Sequence, residues 1–149
     1  MVSGRPSFVI RALSEEDVPH VLGLWKVAGL MYRPNGRDGV AELLVQRARN
    51  PDLFLGAFAG DELVGISIAT DDGRRGWINR LAVHPSWQKR GVATALIAAS
   101  EAALRKRGRK MFCTHVMKDN ESSIALFDKL GYKVETEILY LTKRDDESY

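Results

Sequence analysis

The sequence predicts an α/β fold, with a mixed central sheet of about six to seven strands flanked by about four helices. Two observations carry this prediction. Short apolar segments separated by turn residues fill the chain from residue 53 to residue 83, a pattern typical of neighbouring strands. Beyond them, helical and strand-like segments alternate as far as residue 141. No repeat, linker or low-complexity stretch divides the chain, so residues 1–149 are expected to form a single domain.

Two amphipathic helices are predicted near the start of the chain. Ser14 is a suitable N-cap, and apolar residues three and four positions apart indicate a helix that ends near Ala28. A second helix is expected over 38–49, and the proline at position 51 is expected to end it. The stretch 29–39 between the two helices contains a Pro-Asn-Gly sequence, which predicts a loop.

Strand and helix signals then follow in a regular order. Apolar runs predict strands, and an alanine-rich run that stops at a glycine predicts the longest helix. The strands are expected at 8–10, 53–58, 62–70, 76–83 and 111–117, with a final strand or strand pair at 132–141. The later helices are expected at 91–107 and 120–130.

Composition and charge are those of an ordinary globular protein. Hydrophobic residues make up 45% and charged residues 28% of the chain, and no apolar run reaches the roughly 18 residues of a membrane span. Met1 to Arg11 lacks the apolar core of a signal peptide. The single cysteine, Cys113, and three scattered histidines offer neither a disulfide nor a recognisable metal site. A cytoplasmic protein with no bound metal and no membrane contact is expected.

One segment has the chemistry of a phosphate-binding loop. A strand ends at Val83, and after a four-residue connection Gln88 to Thr94 turns into a helix. A helix N-terminus presents unpaired backbone N–H groups and the positive end of the helix dipole, and both attract phosphate. Gly91 lets the backbone approach an anion closely, and the lysine and arginine before it add charge. The spacing is neither that of a P-loop nor that of a dinucleotide fingerprint, and an ordinary basic helix start is the alternative.

Two motifs resemble those of a known family. Residues 88–93 read Gln88-Lys89-Arg90-Gly91-Val92-Ala93, and residues 120–132 read Asn120-Glu121-Ser122-Ser123-Ile124-Ala125-Leu126-Phe127-Asp128-Lys129-Leu130-Gly131-Tyr132. The first resembles the Gln/Arg-x-x-Gly-x-Gly/Ala pyrophosphate motif of the GNAT superfamily of N-acetyltransferases, with alanine at its last position. The second is similar to the superfamily's Asn-x-x-(Ala/Ser)-Ile-x-Leu-Tyr-x-Lys-Leu-Gly-Phe segment. The resemblance implies an enzyme that uses acetyl-CoA as co-substrate and transfers its acetyl group, or a similar short acyl group, to an amine by direct attack.

The resemblance also implies where the co-substrate binds. The backbone near Leu81 to Val83 would pair with the pantetheine arm where two parallel strands splay apart, and the Val83 N–H would polarise the thioester carbonyl. Amides of the helix start would hold the pyrophosphate, and the 120–132 segment would contact pantetheine and flank the thioester. The cofactor-binding residues implied in this way are Leu81, Ala82, Val83, Gln88, Lys89, Arg90, Gly91, Val92, Ala93, Thr94, Asn120, Ser123 and Phe127.

The catalytic side chains are where this sequence departs from the family pattern. No carboxylate lies between residues 74 and 88, and Phe127 stands where many members carry a proton-donating tyrosine. His115 is therefore a candidate general base, because histidine titrates in the useful range, and a structural histidine is the alternative. Tyr132 and Tyr140 are the remaining aromatic proton donors, with packing as the alternative for Tyr132. A water chain with no essential side-chain base stays equally open.

The acceptor is expected to be an amine of a metabolite or of a protein. Arg33 and Arg37, in the loop between the first two helices, would favour an acceptor that carries a carboxylate or phosphate. Trp25 beside that loop is interpreted as a core residue. Pairing of the last strands, at 133–142, across an exposed edge would give a homodimer, which the resemblance suggests.

Two other classes of function are compatible with parts of the sequence. A non-catalytic acyl-CoA-binding module would account for the unfilled acid and base positions. A nucleic-acid-binding domain would account for the sequence pI of about 9.1 and the basic run at 105–110. The run has no interleaved aromatic residues, and acids at 145–147 offset its charge, so no nucleic-acid partner is expected.

Overall fold

The computed structural model describes residues 7–149 of the chain. Residues 1–6, part of the segment in which no signal peptide is expected, lie outside the described residues. The strands are β1 (Val9–Ala12), β2 (Phe54–Ala59), β3 (Glu62–Asp71), β4 (Gly76–Ile78), β5 (Ala82–Val83) and β6 (Phe112–Cys113). The helices are α1 (Pro19–Ala28), α2 (Val40–Arg49), α3 (Val92–Lys106) and α4 (Glu121–Lys129).

The six strands form one mixed sheet with the order β1-β2-β3-β4-β6, and β5 pairs with β3 beyond the end of β4. All pairs are antiparallel except β4 with β6, which is parallel. The helices α1 and α2 pack their apolar side chains on one face, against Phe58, Ile66 and Ile68. The helix α3 packs on the opposite face. The predicted α/β architecture, with four helices and a mixed sheet, is confirmed.

Small residues let α3 lie close to the sheet. A Cβ atom added to Gly65 of β3 would lie 2.8 Å from Cγ1 of Val92, and one added to Gly76 of β4 would overlap the side chain of Leu104. These contacts are closer than ordinary van der Waals distances, so a larger residue at either glycine would push the helix away. They fix the first turn of α3 against β3, which positions the loop that precedes the helix.

A β-bulge interrupts the strand that was predicted over 76–83. Ala69 lies opposite Ile78 and Ile66 lies opposite Ala82, so β3 advances three residues while its neighbour advances four. The two residues after Ile78 both direct their amides at the Ile68 carbonyl oxygen, with N–O distances of 3.0 and 3.4 Å. Such a bulge bends the strand and turns the residues beyond it in a new direction.

The prediction of a final strand or strand pair at 132–141 is wrong. The structure contains no strand in that segment, and Val134, Ile138, Leu139 and Leu141 are each at least 70% exposed. An alternating apolar pattern forms a strand only where a sheet edge is available for pairing. The neighbouring β6 covers two residues, far fewer than the predicted strand at 111–117, and so offers little edge.

The basic run at 105–110 is largely neutralised by acids from other parts of the chain. Arg105 pairs with Glu101 of the same helix, and Arg107 pairs with Asp52. The next arginine in the run, at position 109, contacts Asp71 at 3.3 Å. These pairs give the run a role in holding α3 to the loops around it.

No helix within residues 7–149 is both long enough and apolar enough to span a membrane.

Candidate active site

The bulge directs the backbone of β5 away from its neighbour. The amides of Arg80 and His84 donate to carbonyl oxygens of β3, at 3.4 and 2.8 Å, and Ala82 lies between them in register. Because successive residues of a strand direct their N–H and C=O groups to opposite sides, those of Leu81 and Val83 point away from β3. That side of β5 is the side on which β6 lies.

The parallel strands β4 and β6 separate beside these free backbone groups. They pair at Gly76 with Phe112 and at Trp77 with Cys113, and no residue pair continues the ladder in the described part of the chain. The Thr114 hydroxyl donates to the next β4 carbonyl oxygen at 2.6 Å and so closes the ladder. Beyond it a wedge opens between β5 and the residues that follow β6. An extended ligand could enter this wedge and pair with β5 as an added strand.

The turn before α3 has the backbone conformation of an anion-binding nest. Lys89 has φ of 62° and Gly91 has φ of 84°, and Lys89 is the one non-glycine residue with positive φ in residues 7–149. The backbone amides of residues 89–94 donate to no acceptor anywhere in residues 7–149. Alternating left-handed and right-handed residues at a helix N-terminus point successive N–H groups into one concavity, which suits phosphate oxygens.

Side chains around this turn support the same chemistry. Lys89 and Arg90 are exposed, and the Arg90 guanidinium lies over the Trp87 ring at 5.1 Å. The Gln88 carboxamide donates to the Val83 carbonyl oxygen at 3.4 Å, which ties the turn to β5. Two cations therefore flank the free amides while the indole beneath holds one of them in place.

The α4 residues named in the sequence analysis lie on the other side of the wedge. The Asn120 side chain caps the helix by accepting from the Ser123 amide at 3.2 Å, and its carboxamide NH₂ donates to no acceptor in the described residues. Phe127 is buried, and it shares an apolar cluster with Leu81 and Ile78. The structure thus brings the β5 backbone, the 88–94 turn and α4 to one region.

His115 lies at the rim of the wedge, just after β6. Its ring stacks between Trp77 and Tyr140, with ring centroids 4.9 and 4.5 Å away. The histidine is exposed, and its ring nitrogens make no hydrogen bond within residues 7–149. A lone pair of the ring is therefore free to take a proton.

Tyr132 is held by a different set of contacts. Its hydroxyl donates to the Glu101 carboxylate at 2.6 Å, and its ring packs edge-on against Phe127 at 4.9 Å. Burial and the neighbouring Glu101 carboxylate raise the pKa of Tyr132. These contacts favour the packing role over that of a proton donor.

The structure adds two residues that the sequence analysis did not name. Arg80, on the bulge, donates to the Met31 carbonyl oxygen at 2.9 Å and lies 3.4 Å from the Asp38 carboxylate. Its guanidinium covers the ring of Trp25, which is fully buried as predicted. Burial lowers the pKa of Arg80, and Asp38 offsets part of that effect. The arginine and the aspartate lie 42 positions apart and belong to no motif, so this pair could not be predicted from the sequence.

A surface cavity of about 560 Å³ lies between the α1–α2 loop and the C-terminal residues. Its lining includes Arg37 from the loop, and Tyr140, Lys143 and Arg144 from the C-terminal segment. Since Tyr140 also stacks on His115, the cavity adjoins the rim of the wedge. No three histidine, cysteine or acidic side chains in residues 7–149 come together to hold a metal ion.

A bulged strand beside a parallel splay, followed by a helix start rich in free amides, has the geometry to accept an extended phosphorylated ligand. The model of the acetyltransferase (GNAT) family matches residues 23–132. The Sodalis glossinidius protein named Acetyltransferase SG1711 is 35% identical over 144 residues, which cover 94% of this chain and 99% of that protein. The chain belongs to the acetyltransferase (GNAT) family.

Solved structures agree with this assignment. PaiA N-acetyltransferase from Thermoplasma acidophilum, in complex with coenzyme A, superposes with a TM-score of 0.75 at 26% identity, covering 87% of this chain and 91% of that one. The aminoglycoside N-acetyltransferase AAC(6')-Iy, in complex with CoA, has a TM-score of 0.75 at 21% identity and covers 97% and 99% of the two chains. At that identity the second match shows the shared fold alone.

Proposed function

We propose that this protein transfers an acetyl group from acetyl-CoA to a primary amine of a small molecule or a protein. The observation that carries the proposal is the row of six amides at 89–94 that donate to no acceptor in residues 7–149, together with the outward-pointing amides of Leu81 and Val83, which also donate to none there. In this proposal those amides bind the pyrophosphate, and Leu81 and Val83 pair with the pantetheine arm. Asn120 and Ser123 contact the same arm, and Phe127 flanks the thioester. The family and the coenzyme A complex of its relative support this reading.

The reaction is direct attack of the neutral amine nitrogen on the thioester carbonyl carbon. The Val83 N–H would polarise the carbonyl oxygen, since it points into the wedge. As the new carbon–nitrogen bond forms and the carbon–sulfur bond breaks, the nitrogen gives up a proton. We assign that proton to His115 or to water held near it, and the released thiolate takes up a proton from the same source. Positioning of both reactants would supply most of the rate enhancement.

A non-catalytic acyl-CoA-binding module is the second candidate function. Phe127 at the usual donor position and the lack of any carboxylate between residues 74 and 88 favour it. Both candidates use the same binding site, so only turnover separates them.

Release of free thiol from acetyl-CoA, measured with a panel of primary amines, tests the proposal. We expect at least one amine to give saturable turnover and an N-acetylated product that mass spectrometry identifies. Tight acetyl-CoA binding without turnover for any amine would contradict catalysis and favour the binding module.

We also propose that the protein acts in the cytoplasm as a homodimer. The exposed apolar side chains of Val134, Ile138, Leu139 and Leu141 support the dimer, because an isolated chain seldom leaves such a set uncovered. Sedimentation of a monomer at micromolar concentration would contradict it.

A further inference from the structure

We propose that the acceptor amine carries an anionic group, a carboxylate or a phosphate, which binds to the arginine cluster of Arg33, Arg37 and Arg80. This inference rests on the proposed function, because it names the class of amine that the same site would acetylate. The cluster lies on the α1–α2 loop and on the bulge just before the free β5 backbone. An anion bound there would hold the rest of the acceptor beside the wedge.

All three arginines contact one carboxylate, Arg37 and Arg80 through their guanidinium groups and Arg33 through its backbone amide. The Asp38 side chain accepts from the Arg33 amide at 2.6 Å, and it lies 3.4 Å from the Arg80 guanidinium and 3.6 Å from that of Arg37. Asp38 itself is 6% exposed and closes the loop, because its amide also donates to the Arg33 carbonyl oxygen. The carboxylate thus shapes the loop and is shared by two guanidinium groups, which leaves one positive charge of that pair in excess.

The wider surroundings keep the positive excess. The cavity beside Arg37 adds two basic side chains, Lys143 and Arg144, and two acidic ones, Asp145 and Asp146. Counted with the cluster, these side chains are five basic and three acidic, and one of the basic ones, Arg144, already donates to the Tyr149 backbone oxygen at 2.7 Å. Guanidinium groups present paired N–H donors that match the geometry of carboxylate and phosphate oxygens. An anionic substrate therefore fits this region better than a polyamine does.

The donor groups also exceed the acceptors available to them. The Nε–H groups of Arg33 and Arg80 are buried and have no hydrogen-bond acceptor in residues 7–149. The outer end of the Arg33 guanidinium donates to the Glu147 carbonyl oxygen at 2.7 Å, from a segment 114 positions away. The C-terminal segment therefore covers the outer end of Arg33, and an anion bound there would replace the Glu147 carbonyl oxygen. Unpaired buried donors are costly, and an added acceptor group would remove that cost.

Paired amines test the proposal because each pair differs mainly in the anionic group. The pairs are 4-aminobutyrate with 4-aminobutanamide, and O-phosphoethanolamine with ethanolamine, and putrescine serves as a dicationic probe. Two quantities are measured: kcat/KM with acetyl-CoA, and the calorimetric Kd of each amine for the protein saturated with CoA. We expect the anionic member of at least one pair to be favoured at least tenfold in both quantities. The pair that shows the preference distinguishes carboxylate from phosphate.

Variants of Arg37 connect the preference to the cluster. Arg37 is 43% exposed at its side chain and has a single ion-pair contact in the described residues, so its loss leaves the loop intact. We expect Arg37→Gln to reduce the preference to less than threefold and Arg37→Lys to retain part of it, while the KM for acetyl-CoA stays within twofold. Arg49→Gln, which changes an exposed arginine at the end of α2, is the matched control and should preserve the preference.

The outcomes separate this inference from the proposed function. Equal or undetectable binding of the anionic and neutral members overturns the inference, as does a preference that Arg37→Gln leaves unchanged. Turnover of neutral amines alone overturns it while the acetyltransferase function stands. Preferential binding of the anionic members without any turnover supports the anion site and removes the acetyltransferase function.

Discussion

At the scale of single residues, the site depends on backbone conformation more than on reactive side chains. Lys89 and Gly91 adopt positive φ, and the free amides between and after them form the nest. The Gly91 conformation could be anticipated, because only glycine adopts it without strain. The positive φ of Lys89 could not be anticipated. This conformation costs a lysine about 1 kcal/mol, and no sequence pattern marks it.

His115 is the residue on which a side-chain base depends. If it accepts the amine proton, His115→Phe should lower kcat at pH 7 at least tenfold and remove the acid limb of the pH–rate profile. Phenylalanine preserves the stack between Trp77 and Tyr140, so lost packing would not explain the effect. His20→Phe, at an exposed position on α1, is the control. An acid limb that persists unchanged in His115→Phe would exclude this base and favour water.

At the scale of elements, the turn between β3 and β4 orients the strand that leads into the bulge. The Asp72 carboxylate accepts from the Arg75 amide at 2.6 Å, the Trp77 indole at 3.0 Å and the Arg74 amide at 2.8 Å. These hydrogen bonds lower the pKa of Asp72 to about 2. A single carboxylate thus fixes both the turn and the Trp77 ring on which His115 stacks.

The lowered pKa predicts how acid affects this turn. Because the folded protein favours the charged form of Asp72, that form adds stability above the ordinary aspartate pKa of about 4. The contribution is lost as the pH falls from about 4 towards 2. Denaturant unfolding at several pH values should therefore find Asp72→Asn less stable than the unmodified protein at pH 6, with the two converging near pH 2. Asp61→Asn, which removes the same charge in the β2–β3 turn, is the matched control. A constant Asp72→Asn difference from pH 6 to pH 2 would contradict this account.

Elements with strong local patterns were predicted well, and those that depend on distant partners were not. The helix α3 was expected over 91–107 and spans Val92–Lys106, because its alanine-rich pattern and terminal glycine are local signals. The bulge was missed, since alternation in a sequence does not show an extra residue on one strand. The segment 132–141 was wrongly predicted to form strands. Its apolar pattern is that of a strand, but no sheet edge is available for it to pair with.

At the scale of the whole molecule, the fold was predictable because it follows from motifs and element order. The contact between the bulge and the α1–α2 loop was not predictable, since it joins remote positions such as Arg80 and Asp38. The sequence indicated Arg33 and Arg37, and the structure joins them to the bulge. The bulge before β5 and the α1–α2 loop are therefore held together by the partly buried ion pair of Arg80 with Asp38.

The central claim is that the 88–94 turn binds the phosphates of acetyl-CoA, and two glycines at opposite ends of α3 allow a matched test. Gly91 and Gly108 have φ of 84° and 89°, and neither has an atom within 4 Å of an added Cβ. Glutamate at either position therefore introduces the same strain, about 1–2 kcal/mol, and the same charge. Only at Gly91 would it face the proposed phosphate site.

Calorimetric titration of acetyl-CoA into the unmodified protein, Gly91→Glu and Gly108→Glu is the most direct measurement. We expect micromolar binding to the unmodified protein and to Gly108→Glu, and binding at least a hundredfold weaker to Gly91→Glu. Equal affinity in all three proteins, or no binding to the unmodified protein, would contradict the claim that this turn is the phosphate site.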